Sequence, residues 1–182
     1  MIVGLGNPGR KYEGTRHNAG FEAADILCER LGGGRMTKLM CRSAYALCRY
    51  EDKTLLLIKP QTFMNLSGEA VRDMAERFSV PPEKIIVLSD DVALPSGRLR
   101  IRMRGSDGGH NGLKNIIYHL QSDSFPRVRI GVGAPEDEDM ADFVLSPMDS
   151  AAMEGVRKAP EAALALVSHG ASYAMQHFNG TN

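Results

Sequence analysis

The sequence predicts a single α/β domain, built on a mixed, twisted β-sheet that is flanked by helices. Apolar strand-like runs alternate with segments of helical periodicity along the 182 residues, and this alternation is typical of α/β folds. A content of 43% hydrophobic and 24% charged residues is ordinary for a globular chain that buries a core. Because no repeat or low-complexity linker interrupts the pattern, we expect one domain over residues 1–182.

The first half of the chain is predicted to contain four strands and two helices. Short apolar runs indicate strands at residues 1–5, 43–50, 54–58 and 84–89. The second and third of these are expected to pair, and Pro60 ends the third. Apolar side chains with helical spacing indicate helices at residues 21–31 and 68–78. Asn18 is the expected N-cap of the first helix.

The second half continues with a strand, a helix and a further strand. Residues 98–104, RLRIRMR, alternate strictly between arginine and apolar side chains, as in a strand with two different faces. A short amphipathic helix follows at 112–120, and Asn111 is placed either to cap it or to contact a ligand. Residues 127–133 form the next strand.

The C-terminal part begins with an acidic segment, PEDEDMAD (135–142), that is predicted to be a solvated loop. A mobile flap over a site is the second interpretation of this segment. A helical tail follows from about residue 150 and is expected to be interrupted at Pro160.

Composition excludes several classes of protein. The formal net charge is zero, which argues against a non-specific coat for nucleic acid but allows a local basic patch. No apolar run approaches about 18 residues, so we expect no membrane span, and no secretory signal is recognisable. The cysteines, which lack a CxxC pair, are expected to be buried or free thiols in a reducing compartment, and we therefore expect the cytoplasm.

Polar residues follow three of the predicted strands at the point where each strand ends. Asn7 follows the first strand, Asn65 follows residues 54–58, and Asp90 and Asp91 follow residues 84–89. Sites in α/β sheets form at the carboxyl ends of strands. We therefore expect these side chains to converge at one edge of the sheet.

The glycines at the start of the chain have the spacing of a dinucleotide fingerprint, Gly4-x-Gly6-x-x-Gly9. That fingerprint requires a helix that opens at the glycines and an acidic residue at the end of a second strand. Neither is predicted here, because RKYEGTRHN follows without helical periodicity and Asp25 lies within a helix. The glycines are better explained as a sharp turn that holds Asn7 in place.

His17 precedes the first predicted helix and is a candidate general base. The positive end of that helix favours a neutral ring, which can accept a proton from water. Asp90 is the best candidate to fix its tautomer, although a surface or capping histidine is an alternative. The other histidines lack HExxH or paired Cys/His spacing, and no GxSxG elbow is present. We therefore expect any hydrolysis to be metal-free, with a positioned water as nucleophile.

The arginines of RLRIRMR lie on one face of their strand, and Arg127 and Arg129 repeat the alternation on the next strand. Such a basic face suits a phosphate backbone, because guanidinium groups bind phosphate through two hydrogen bonds. A solvated sheet face is the alternative.

Taken together, these motifs resemble those of the bacterial peptidyl-tRNA hydrolases. The matching stretches occur in order and extend across most of the chain: GLGNPG and TRHNAGF within 4–21, KPQTFMNLSG (59–68), SDDVALPSGRLRIR (89–102), GSDGGHNGLKNI (105–116), RVRIGVG (127–133) and FVLS (143–146). The resemblance implies a monomeric α/β enzyme without a cofactor. Its substrate is peptidyl-tRNA, in which an ester joins the peptide to the terminal ribose.

The resemblance also implies roles for individual residues. His17 is the base that activates water, and Asp90 orients it. Asn7 and Asn65 bind the peptide end and the water, and Asn111 polarises the carbonyl or places the water. Tyr12 borders the substrate channel, and Arg102 and Arg129 bind the 5′ phosphate of the tRNA.

Two departures from the family pattern are visible. Ala93 stands where a second aspartate is common, and Arg102 stands where lysine is common. Two other functions remain as alternatives. One is a non-catalytic RNA-binding module on the same scaffold, and the other is a nucleotide-dependent enzyme that uses Gly4–Gly9.

Overall fold

The structure, a computed structural model, describes residues 1–180 and is organised around a mixed sheet of seven strands. The strands are β1 (Ile2–Gly4), β2 (Lys38–Met40), β3 (Ser43–Tyr50), β4 (Lys53–Pro60), β5 (Ile86–Asp91), β6 (Leu99–Arg102) and β7 (Arg127–Gly131). They lie in the order β2-β3-β4-β1-β5-β7-β6. The central strands β4, β1, β5 and β7 run parallel, and β2, β3 and β6 complete the sheet through antiparallel pairs.

Helices cover both faces of the sheet. They are α1 (Ala19–Arg30), α2 (Ser67–Arg77), α3 (Asn111–Leu120), α4 (Met140–Leu145), α5 (Ser150–Ser168) and α6 (Gly170–Phe178). One core cluster joins α1, α5 and α6 to the sheet, and a second joins α2 and α3 to its other face. This arrangement confirms the predicted α/β class and the mixed sheet. Within residues 1–180, no helix has both the length and the apolarity to cross a membrane.

Several element boundaries differ from the predictions. The strand expected over 98–104 contains only Leu99–Arg102, and the short edge strand β2 was not expected. Residues 140–142, predicted as loop, form the first turn of α4. Pro160 does not interrupt the helical tail, and α5 continues through it. The helix ends instead at Ser168, just before Gly170, whose φ of 82° is in the left-handed region.

The glycines at the start of the chain allow α1 to lie directly on β1 and β5. A Cβ atom on Gly20 would lie 2.3 Å from the carbonyl oxygen of Leu88, and one on Gly4 would lie 2.4 Å from the carbonyl oxygen of Gly20. Both distances are far below a van der Waals contact. The close approach brings the 3-10 turn Arg16–Asn18, which precedes α1, to the carboxyl ends of the central strands.

The exposed edge of β6 is covered by the end of the chain. Asn179, which follows α6, accepts a hydrogen bond from the backbone N–H of Ile101 and donates one to its carbonyl oxygen. These bonds satisfy edge groups that could otherwise pair with another strand. The arginine-bearing strand therefore presents its face rather than its edge.

Candidate active site

A cleft of about 640 Å³ lies at the carboxyl ends of the central strands. Its walls come from the segment after β1, the 3-10 turn Met64–Leu66, the end of β5, the loop before α3, and α4. The predicted convergence of strand ends is therefore present, since Asn7, Asn65, Asp90 and Asp91 all line the cleft. His17 and Asn111 line it as well.

The imidazole of His17 is bonded to Asp90 at the floor of this cleft. Nδ1 of His17 lies 3.0 Å from each carboxylate oxygen of Asp90. The aspartate side chain is 2% exposed and the histidine side chain 14% exposed. A carboxylate can only accept, so Nδ1 carries the proton and Nε2 of His17 is the basic nitrogen. This is the tautomer that a general base requires.

Burial and charge act in opposite directions on both groups of this pair. Burial favours the neutral imidazole, but the charge of Asp90 and its hydrogen bond outweigh burial and raise the pKa of His17 above 6.5. We expected the helix end to keep the ring neutral; the direction is the opposite because the carboxylate is in contact. Burial alone would raise the pKa of Asp90, yet the two neighbouring imidazoles, those of His110 and His17, hold it well below its usual range.

Asn7 is held in one orientation by backbone groups. Its Oδ1 accepts a hydrogen bond of 2.8 Å from the backbone N–H of Met64, so its NH₂ group is left to donate toward the cleft. The backbone of Asn7 is bonded in both directions by the side chain of Asn18. Asn18 stands at the N-cap position of α1, but its side chain makes no capping bond, which corrects the prediction.

His110 is a site residue that we did not predict. Its Nε2 lies 2.9 Å from Oδ1 of Asp90, so one carboxylate serves two imidazoles. Its Nδ1 accepts the backbone N–H groups of Gly112 and Leu113, which makes His110, and not Asn111, the N-cap of α3. The signal was the position directly before an amphipathic helix; histidine is an uncommon cap, so asparagine was preferred.

The other predicted substrate contacts are distributed unevenly. Asn65 and Asn111 are exposed and both line the cleft. Tyr12 is half-buried in the 3-10 turn Arg10–Tyr12 and is not among the residues that line the cleft; Lys11 lies 4.7 Å from the centre of its ring. The structure therefore brings the asparagines together and leaves Tyr12 outside.

Arginines of β6 and β7 lie on one face, as predicted, but they differ in availability. Arg100 is opposite Arg129 and Arg102 is opposite Arg127 in the antiparallel pair. Arg102 is exposed, and Arg129 is partly exposed and ion-paired through Nε with Asp91. Arg127 is 3% exposed, so it is not part of an open basic surface.

Arg127 instead fastens two loops. Its guanidinium donates to the carbonyl oxygens of Ser106 and Asp123 and lies 4.3 Å from the centre of the Phe125 ring. The loop that contains Ser106 leads to His110, so this arginine supports a loop that lines the cleft.

The helix α4 forms a wall of the cleft and is bonded to the turn that contains His17. The backbone N–H of Arg16 donates to the carbonyl oxygen of Ser146 at 3.0 Å, and its guanidinium donates to that of Pro147 at 2.7 Å. The same guanidinium lies 4.3 Å from the centre of the Phe143 ring. The end of α4 is thus fastened, while the acidic residues before it are exposed.

Among the described residues 1–180, His17, Asp90 and His110 form a group that could hold a metal ion, since one ligand atom from each lies within 4.8 Å of the others. Sequence spacing gave no indication of this cluster. In the structure, its two histidine nitrogens face the carboxylate through N–H groups, and a metal ion would have to displace both protons.

Fold and site together define an α/β protein whose sheet-end cleft presents a histidine–aspartate pair. The sequence model of the family described as peptidyl-tRNA hydrolase matches residues 1–182. The chain is 46% identical over 184 residues to the peptidyl-tRNA hydrolase of Alkaliphilus metalliredigens, with 99% of each chain covered, and 47% identical to that of Alkaliphilus oremlandii, with the same coverage. It therefore belongs to the peptidyl-tRNA hydrolase family.

Solved structures agree with this assignment. The crystal structure of peptidyl-tRNA hydrolase from Acinetobacter baumannii superposes with a TM-score of 0.90 at 32% identity, covering 100% of this chain and 94% of that one. A complex of peptidyl-tRNA hydrolase with N-propanol gives a TM-score of 0.88 at 33% identity, with the same coverage.

Proposed function

We propose that this chain hydrolyses the ester between the peptide and the tRNA ribose of peptidyl-tRNA, with His17 as general base. Membership of the family gives the reaction. The observation that supports the base is the bond from His17 Nδ1 to Asp90, which leaves Nε2 of a cleft-lining ring as the basic nitrogen.

In the proposed mechanism, Nε2 of His17 takes a proton from water as the oxygen attacks the ester carbonyl carbon. The carbon–oxygen bond to the ribose then breaks, and the ribose hydroxyl leaves with the proton from His17. A positioned base contributes ~10²–10⁴-fold to such a step. Asp90 stays ionised throughout and stabilises the imidazolium that forms.

The amide of Asn7 is our candidate donor to the oxyanion or the bound peptide. The bond from the N–H of Met64 fixes which end of that amide faces the cleft, so the donor is oriented before substrate arrives. We assign Asn65 and Asn111 to contacts with the peptide end, the water or the carbonyl, because both line the cleft. The geometry gives Tyr12 less support as a substrate contact.

We propose that Arg102 and Arg129 bind phosphate of the tRNA. Arg102 is exposed on β6. Arg129 lines the cleft and is paired through Nε, which leaves its terminal nitrogens for phosphate. A grip on phosphate carries no sequence information, and this suits an enzyme that accepts many tRNAs.

The test is deacylation of an N-blocked aminoacyl-tRNA beside the unblocked aminoacyl-tRNA. The wild-type chain is expected to release tRNA from the blocked substrate only, and His17→Ala is expected to lose at least ~10²-fold in turnover. His169→Ala, which changes an exposed histidine at the start of α6, is the matched control and should retain wild-type turnover. Turnover by His17→Ala close to the wild-type rate would refute the assignment of the base.

The alternative of a non-catalytic RNA-binding module is not favoured, because the chain belongs to a family of hydrolases over its full length. The nucleotide-dependent alternative is disfavoured by the backbone around Gly4–Gly9. The N–H of Asn7 is bonded to Asn18, and that of Phe21 is bonded to the carbonyl oxygen of Leu5.

We further propose that the enzyme acts as a monomer in the cytoplasm. All the side chains that we assign to catalysis and binding come from one chain, so no second copy is needed to complete the cleft. Light scattering at micromolar concentration is expected to give the mass of one chain, and a stable dimer would contradict the first part. The three free cysteines are compatible with a reducing compartment.

A further inference from the structure

Asp90 is hydrogen-bonded by two imidazoles, those of His17 and His110, and in the second bond His110 is the donor. His17 approaches both carboxylate oxygens, and His110 approaches Oδ1 from the loop before α3. The two imidazole centres are 5.0 Å apart. The aspartate is almost fully buried. The hydrogen bonds from these two rings therefore replace the hydrogen bonds that water would give to its charge.

The tautomer of His110 follows from its role as helix cap. Its Nδ1 lies 3.1 Å from the N–H of Gly112 and 3.3 Å from that of Leu113, and both groups donate to it. A neutral imidazole has one donor and one acceptor nitrogen. Because Nδ1 accepts, Nε2 must carry the proton that is directed at Asp90. The start of α3 therefore dictates which hydrogen bond the carboxylate receives.

We propose that His110 is a positioning residue, whose Nε2–H draws on the charge of Asp90 and so weakens the hold of that carboxylate on a protonated His17. A carboxylate that receives a second hydrogen bond is a weaker partner for the first donor. His17 must lose its proton to act as a base, so a weaker hold keeps more of the enzyme in the active form near neutral pH. This inference rests on the proposed role of His17.

The other ionisable groups near His17 are bonded elsewhere, and only Asp90 raises the pKa of His17. Apart from Asp90 and His110, the charged side chains that line the same cleft are Asp91, Asp107, Asp139 and Arg129. Asp91 is ion-paired with Arg129. Asp107 accepts the backbone N–H of Gly109, and Asp139 accepts that of Ala141, so both cap local turns.

Two substitutions separate the bond to Asp90 from the cap of α3. In His110→Asn the side-chain oxygen stands where Nδ1 was and can still cap the helix, but no donor reaches Asp90. In His110→Gln the amide nitrogen stands where Nε2 was and can still donate to Asp90, while the cap is lost. The protonation of His17 is followed by NMR of its ring across pH about 5 to 9, without substrate, and turnover is measured over the same range.

We expect His110→Asn to raise the pKa of His17 by about one unit. The acid limb of the rate profile moves with it, so turnover falls up to ~10-fold on the acid side and recovers at high pH. We expect His110→Gln to leave the limb in place. A pKa of His17 that is unchanged in His110→Asn, or that moves equally in both variants, overturns the proposal.

The wild-type enzyme supplies a test that does not depend on any variant. Nitrogen chemical shifts of His110 should show an acceptor-type Nδ1 and a protonated Nε2, and the opposite tautomer overturns the proposal. These measurements need no catalysis. If His17→Ala kept full turnover while His110→Asn still shifted the His17 titration, the proposed base would be wrong, and only the effect of His110 on the protonation of His17 would stand.

Discussion

Replacing Asp90 by asparagine should abolish most catalysis while it leaves the shape of the site nearly unchanged. His17 Nδ1 and His110 Nε2 both donate to this side chain: Oδ1 lies within 3.0 Å of both nitrogens, and Oδ2 faces His17 alone. The aspartate thus offers two acceptor oxygens. Asparagine offers one. Because α3 fixes the tautomer of His110, the amide oxygen stays with His110 and the NH₂ group is left facing His17.

In Asp90→Asn the neutral His17 ring is expected to carry its proton on the wrong nitrogen for a base. An NH₂ group that faces Nδ1 of His17 turns Nδ1 into an acceptor, so the proton of the neutral ring moves to Nε2, the nitrogen that must take a proton from water. The stabilising charge on the imidazolium is lost as well. In serine proteases the equivalent change costs on the order of 10⁴-fold in turnover. We expect ~10³–10⁴-fold here, or about 4–5.5 kcal/mol of transition-state stabilisation.

The assay is kcat/KM on an N-blocked aminoacyl-tRNA at about pH 8, with binding of the same tRNA measured by fluorescence anisotropy. Binding should stay within about threefold of wild type, because the proposed phosphate contacts lie on β6 and β7. Asp52→Asn, in the exposed turn between β3 and β4, is the matched control. Turnover by Asp90→Asn within tenfold of wild type would refute the reasoning, as would a loss of turnover fully explained by lost binding.

Three other outcomes are expected. Because the pKa of His17 is raised, turnover should fall as pH drops through that raised value, and a flat rate profile between about pH 5 and 8 would contradict its role as base. Arg102→Ala and Arg129→Ala should mainly weaken tRNA binding and reduce its salt dependence by about one phosphate contact each. The exposed Arg35→Ala should change neither quantity, and an unchanged salt slope in both Arg102→Ala and Arg129→Ala would count against the phosphate site. Gly20→Ala should lower the free energy of unfolding by ~1–3 kcal/mol in urea titration, because its Cβ would lie 2.3 Å from a carbonyl oxygen of β5; wild-type stability would show that α1 can move off the sheet freely.

The parts of the fold that sequence periodicity predicted are those in which local pattern and burial agree. The strand over β5 is buried at every position, and α2 places Val71 and Met74 against the core as its spacing indicated. The errors lie where tertiary contacts override local signals. Pro160 was expected to interrupt the tail, yet α5 continues because the residue is buried in the packed helix.

The sequence predicted the site residues at the strand ends and His17 before the first helix, but not His110 before α3. Asn7 follows β1 and Asp90 lies at the end of β5, and parallel strands bring their ends to one edge. His110 joins the site because a helix cap turns its other nitrogen toward Asp90, which no spacing rule indicates. Arg127 belonged to the alternating pattern but is buried between two loops, because alternation identifies a face and not its exposure.

The glycine-rich segment and the candidate base are linked by hydrogen bonds, because the turn that contains His17 also bonds the backbone of Asn7. In a dinucleotide fold, the backbone N–H groups at the first strand–helix turn are left for a pyrophosphate. Here the N–H of Asn7 is bonded to the side chain of Asn18 at 2.8 Å, and that of Phe21 is bonded to the carbonyl oxygen of Leu5 at 2.9 Å. Asn18, at the end of the turn Arg16–Asn18, and the carbonyl oxygen of Leu5 therefore supply from within the chain the acceptors that a phosphate would provide. Because that turn also contains His17, the hydrogen bonds between Asn18 and Asn7 both occupy the anion site and tie the turn that contains the imidazole to the segment after β1.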